Sequence, residues 1–207
     1  MTEVERRGVA ARFARDICGA ALVEFAMIMP FMVALYFGLV AVTAGYSTSR
    51  KVALVARTAT DLTARAPTLG CTEVGGIFAA ATSIFAPHNA TGMNMVLAGV
   101  TVTNIGTSSA PVLQAKVTWS QARRISNASG TLAAGTIPSG WAVNTVINPI
   151  PSGFAVAGST YFMGRADKDY SAVVGSTLIG GTHTFTHGFN WPARNSTPVP
   201  WSGTTAC

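Results

Sequence analysis

The sequence predicts an α+β chain: a long N-terminal helix that crosses a membrane, followed by a domain with an antiparallel β-sheet. Three observations predict it. Residues 25–44 carry no charged side chain, and at about 1.5 Å per residue such a run just crosses a ~30 Å hydrocarbon layer. Beyond them, apolar residues recur every three or four positions as far as Pro67, which is a helical stripe. Farther along, the apolar period changes to two, the signature of strands.

Composition agrees with an anchor joined to a polar domain. Hydrophobic residues make up 49% of the chain and charged residues 11%, against about 25% charged in an ordinary soluble domain. The apolar excess lies between Ile17 and Tyr46, and the remainder is rich in Ser, Thr, Asn, Gly and Ala. A length of 207 residues leaves room for one modest domain beside the anchor. The net charge of +6 would suit a nucleic-acid binder, but its distribution does not. Arg6, Arg7, Arg12 and Arg15 precede the apolar run, Arg50, Lys51, Arg57 and Arg65 follow it, and the others are scattered. Without a dense basic stripe to displace counterions from phosphates, no nucleic-acid partner is expected.

Taken in order, residues 1–16 are short, polar and Arg-bearing. The apolar run that follows has a secretory signal peptide as its alternative, with Val42-Thr43-Ala44 as the cleavage site. Such signals carry an apolar core of about 7–15 residues and no acid, whereas this run is longer and opens with Glu24. An uncleaved anchor fits better. Lys and Arg are tied across the run, so the positive-inside count sets no orientation. The helix continues past the membrane. Val52, Val55, Ala59, Leu62 and Ala66 draw its apolar stripe, while Arg57, Asp61 and Arg65 stand four apart and can pair. Pro67 ends it, because its ring clashes with the preceding turn.

Thr72 then caps a short helix that places Val74, Ile77, Phe78, Ala81 and Phe85 on one face and closes at Pro87. Next, Ala98, Val100 and Val102 alternate with Gly99, Thr101 and Thr103. After the turn-like residues 106–109, Leu113, Ala115, Val117 and Trp119 alternate with Gln114, Lys116 and Thr118. These two runs read as a hairpin with one buried face. Weaker strand signals follow at residues 141–147, 159–163 and 176–189, separated by loops heavy in Gly, Ser and Pro.

One short segment carries more than fold. Gly19, four small or apolar residues, then Glu24-Phe25 resembles a type IV prepilin cleavage motif. More narrowly, Gly19-Ala-Ala-Leu-Val-Glu-Phe-Ala-Met-Ile-Met-Pro30 resembles the opening of TadE/TadG-like proteins, the pseudopilins or minor pilins of tight-adherence (Tad) pili. Lys116-Val-Thr-Trp-Ser120 and the strand around Tyr161 resemble that family less specifically, and Cys18 is a departure the motif does not require. The resemblance implies a prepilin peptidase that cuts after Gly19 and leaves Ala20 as the new amino terminus. It also implies a register role for Glu24, paired with the terminal amine of a neighbouring subunit. Read by itself, Glu24 is equally a carboxylate at the cytoplasmic interface, since a charge in hydrocarbon costs at least ~2.5 kcal/mol unless partnered. Pro30 likewise is either a tolerated kink or a flexible point for fibre packing.

The resulting organisation is a cytoplasmic leader at residues 1–19, a transmembrane and stalk helix at 20–66, and a pilin-like outer domain at 67–207. The chain would sit as a single-pass protein of the bacterial inner membrane, its C-terminal domain in the periplasm, with the extracellular pilus as a second location. Its partners would be the peptidase, other pilins or pseudopilins, the pilus assembly platform and membrane lipid.

No constellation for catalysis or metal binding is present. His183 and His187 lie four apart, but with His88 the only other histidine a zinc site lacks its third and fourth ligands. Past residue 72 the acids are Glu73, Asp167 and Asp169, too few for a paired-carboxylate mechanism in a cleft; Asp167-Lys168-Asp169 reads as a charged turn. Phosphate-binding, dinucleotide and nucleophile-elbow motifs are absent. No cofactor, no metal and no enzymatic activity are expected. The sequons at Asn89, Asn127 and Asn195 are chance matches in an Asn/Ser/Thr-rich chain.

Removal of Cys18 with the leader leaves Cys71 and Cys207, an even pair. A bond between them would pin the C-terminus to the domain base and require an oxidising space; two unpaired thiols in a cytoplasmic domain are the alternative. For function, a structural subunit of a Tad-type adhesive pilus leads. A membrane-tethered envelope module that binds a glycan or protein is the alternative.

Overall fold

The computed structural model describes residues 17–127, 129–171, 181–194 and 201–203, apart from the side chains of residues 17, 18 and 20. The elements are α1 (Ile17–Arg65), α2 (Cys71–Ser83), β1 (Asn94–Asn104), β2 (Leu113–Ile125), β3 (Leu132–Ala134), a 3-10 turn (Ser139–Trp141), β4 (Val146–Ile147), β5 (Thr160–Tyr170) and β6 (His183–Pro192). The strands form one antiparallel sheet in the order β3-β2-β1-β5-β6, with β4 paired to β2. The fold is therefore α+β, with a long apolar helix ahead of an antiparallel sheet. Among the described residues, 17–44 form one compact unit, and 45–171 with 181–203 form the second. The division falls inside α1, so the half of the helix expected as a stalk is part of the folded unit.

In the first unit, the side chains of α1 stand in the open. Leu22, Phe25, Phe31 and Leu35 are 60–74% exposed. In the second unit the same helix buries Val52, Val55, Ala56, Ala59, Thr60, Thr63 and Ala64. This differs from the expected stripe, because Leu62 and Ala66 are only partly buried. Small residues occupy the contact because the helix lies very close to β5: a β-carbon added at Gly164 would sit 1.8 Å from Thr60 Oγ1. Both threonines tolerate burial because each donates its hydroxyl to its own helix backbone, Thr60 to Ala56 O at 2.7 Å and Thr63 to Ala59 O at 2.8 Å.

The hairpin of β1 and β2 forms, and its predicted face of Ala98, Val100, Val102, Ala115 and Val117 is buried. That face, however, is covered by Trp141 of the 3-10 turn, Ile147 of β4, and Ile150 and Phe154 of the following loop. The helices pack on the opposite face, against Met95, Leu97, Trp119, Phe162 and Ala166. Trp119 belongs to this second face and not, as the alternation predicts, with Val117. Gly99 pairs with Trp119 and Val100 with Val117, so Thr118 is an extra residue, a bulge that turns every later side chain over. The Trp119 ring lies directly over Gly99, where a β-carbon would come within 2.2 Å of its Nε1.

Three other expectations need correction. Gly70, in extended backbone, is the N-cap of α2, and no side chain caps it; Thr72 lies exposed in the first turn. Residues 141–147 are mostly not a strand, because Asn144 takes a positive φ of 73° and leaves only β4 paired. Asp167-Lys168-Asp169 is no turn but the end of β5. Its charges are partnered there: Asp167 by Arg165 Nε at 2.8 Å, Asp169 by the Thr184 hydroxyl at 2.6 Å, and Lys168 by the Thr91 carbonyl. Burial and nearby Arg124 lower the Lys168 pKa against the opposing pull of Asp169.

Candidate functional site

The first unit holds the residues that the prepilin-like motif singles out. Gly19, Glu24 and Phe25 all lie in α1 and are exposed. A β-carbon at Gly19 would touch nothing within 4 Å, so the peptide bond after it is sterically open on that side. Ala20 follows in the same helix, its side chain outside the described residues. Glu24 stands at the edge of the uncharged run, and the helix continues through Pro30 without interruption. Proline supplies no backbone N–H, which leaves the Ala26 carbonyl without its usual i+4 donor. The segment qualifies as a membrane-crossing helix by length and composition, with a mean hydropathy of 2.3 over its most apolar window, all of it unburied. One such helix is compatible with a single-pass membrane protein.

The second unit gathers the C-terminal residues at the α1–α2 junction. Trp201 bridges to Leu69, Ser202 N–H donates to Leu69 O at 2.8 Å, and the Trp201 ring stacks on Trp119 at 4.7 Å with the planes 10° apart. Gly203 runs beside Cys71, with a hypothetical β-carbon 3.2 Å from its Sγ. Cys71 is half-buried and is not a free thiol. Cys207 and the side chain of Cys18 lie outside the described residues, as do the Asn195 sequon and part of the Asn127 one.

His187 and His183 serve packing. The Ser49 hydroxyl lies 2.9 Å from His187 Nε2, and His183 packs edge-on against Phe185 at 4.9 Å. Among the described residues, no three His, Cys, Asp or Glu side chains stand together as metal ligands would. The expected ion pair of Asp61 with Arg65 is present at 2.7 Å. Arg57 instead stacks over Trp191, and Arg194 joins Asp61 at 3.0 Å. Neither Trp191 nor Arg194 stood out in the sequence, since both follow β6 pairing that brings them back to α1.

The second unit is thus an α+β domain and the first a helix long and apolar enough to cross a membrane. Residues 19–61, about a fifth of the chain, match the family model described as TadE-like protein, so the anchor segment is TadE-like, as its motif suggested. No curated protein and no solved structure matches the chain. The match supports a Tad-pilus-associated, pilin-like role in general terms, in company with other pilus components.

Proposed function

We propose that this chain is a non-catalytic minor pilin or pseudopilin of a Tad-type adhesive pilus, anchored once in the bacterial inner membrane with its α+β domain in the periplasm. The observation that carries the reading is the TadE-like match beginning at Gly19, the glycine after which the motif would be cut. A prepilin peptidase removes residues 1–19, and Ala20 becomes the mature terminus. Glu24 then meets a cationic partner on a neighbouring subunit, which offsets the cost of a carboxylate in hydrocarbon. The pair fixes axial register more than it stabilises, and Pro30 lends the helix compliance.

N-terminal sequencing of the membrane fraction tests this: Ala20 is expected first. Mature chains that begin at Met1 overturn the processing, and chains that begin at Gly45 overturn the anchor. Glu24→Gln is expected to keep the chain in the membrane while surface pili fall; normal piliation would reduce Glu24 to an interface residue and favour a tethered binding module.

A Cys71–Cys207 bond belongs to the same proposal. The approach of residues 201–203 to Cys71 supports it, and an oxidising compartment is implied. Closing so long a loop stabilises by about 2–4 kcal/mol. Mapping of non-reduced peptides is expected to find the two cysteines linked and the Tm lowered on reduction; free thiols at both positions overturn the bond and the periplasmic placement that rests on it.

A further inference from the structure

In the second unit, α1 and the end of β6 enclose a cleft of about 310 Å³ lined by Leu54, Arg57, Asp61, Arg65, Trp191 and Arg194. Three guanidinium groups face one carboxylate. Asp61 is shared, Arg65 at 2.7 Å and Arg194 at 3.0 Å, and its side chain is only 22% exposed. Arg57 and Arg194 both lie over the Trp191 ring, 5.7 and 5.5 Å from its centroid. The Arg194 N–H donates to Ala64 O at 3.0 Å, so the strand end is tied to the helix and the cleft walls are held in register.

Service to the helix end explains part of this. Arg65 and Arg194 sit at the C-terminus of α1, where positive charge complements the helix dipole. Arg57 lies two turns earlier, where the dipole offers it little, and among the described lining residues the one carboxylate, Asp61, is already shared by Arg65 and Arg194. Stacked guanidinium groups keep their planar N–H edges for a carboxylate, and half-exposed Leu54 beside Trp191 gives an apolar floor.

We propose that this cleft binds a carboxylate-bearing segment of a partner protein, an acidic residue with an apolar neighbour, outside the membrane. The carboxylate already seated among these arginines, Asp61, shows the chemistry the lining takes; the phosphate of a lipid headgroup is separated from it by the test below. A second copy is a poor occupant, because the chain stays net positive with or without residues 1–19 and like net charges repel.

The test uses the full chain in detergent micelles and a fluorescein-labelled hexapeptide, Glu-Leu-Glu-Glu-Leu-Glu, followed by fluorescence anisotropy. Saturable binding that weakens as salt rises is expected. Arg57→Gln and Arg194→Gln should each weaken it about fivefold, and photo-crosslinking from the wild-type complex should label residues 54–65 and 191–194. Equal affinity for the Gln-Leu-Gln-Gln-Leu-Gln control overturns the proposal. So do unchanged affinity in both variants, crosslinks elsewhere, or displacement of the peptide by glycerol phosphate at equal concentration.

Discussion

Leu22, Phe25, Phe31 and Leu35 project from the first half of α1 largely exposed, whereas the second half buries Val52, Val55, Ala56 and Ala59. The backbone is the same helix throughout; the neighbours differ. In hydrocarbon a side chain needs only to be apolar and large enough to fill a fluid surrounding, so Phe, Met and Leu serve well. Against a sheet it must fit a fixed surface packed to crystal-like density, so Ala and self-bonded Thr let the helix approach β5. Hydrophobicity governs one half and shape the other.

The largest expected effect breaks the first half. Leu35→Arg puts a charge at the centre of the uncharged run and should cost about 2.5–3.5 kcal/mol of insertion, read in a translocon insertion assay of the full chain. The same change at Leu54, 49% exposed in the second unit, should alter insertion and stability by less than about 0.5 kcal/mol. Next comes the fit of the second half. Gly164→Ala drives a methyl group into Thr60 and should destabilise by about 1–3 kcal/mol, measured by chemical denaturation; Gly19→Ala, with open space around it, should leave stability unchanged.

The smallest effect sharpens the contrast within the sheet. Tyr161 lies fully buried on the loop-covered face, and its hydroxyl has no partner among the described residues. Burial raises its pKa above the usual 10.0. The folded state therefore holds the proton longer than the unfolded chain. Stability is complete below pH 10 and falls as pH rises above it. Tyr161→Phe should remove this residue's share of the alkaline loss, and near neutral pH it should stabilise by up to about 1 kcal/mol. Denaturation midpoints at pH 8 and 10.5 would check both.

The long apolar helix, its end before Pro67 and the hairpin were legible because each rests on local chemistry: uncharged length, a proline ring, period-two alternation. The TadE-like motif was legible for the same reason, being contiguous from Gly19 to Pro30. What escaped depended on partners distant in sequence. The bulge at Thr118 exists only in the count against Gly99 and Val100, so Trp119 was assigned to the wrong face. The burial of Thr60 and Thr63 rests on hydroxyl bonds to their own helix backbone, which a stripe of apolar residues does not report. Asp167-Lys168-Asp169 looked like a turn because its cross-strand partner Thr184 and the Thr91 carbonyl lie far away in the chain. Trp191 became part of a cleft only once β6 had returned it to Arg57.

The close seat of α1 on β5 has a mechanical side. Any pull on the anchor travels through the helix backbone and reaches the sheet along the axis of the segment from Val52 to Ala64. Displacement in that direction must drag every small side chain past its groove at once, with Thr60 locked opposite Gly164. Such a contact resists sliding along the helix axis far better than it resists being prised off sideways.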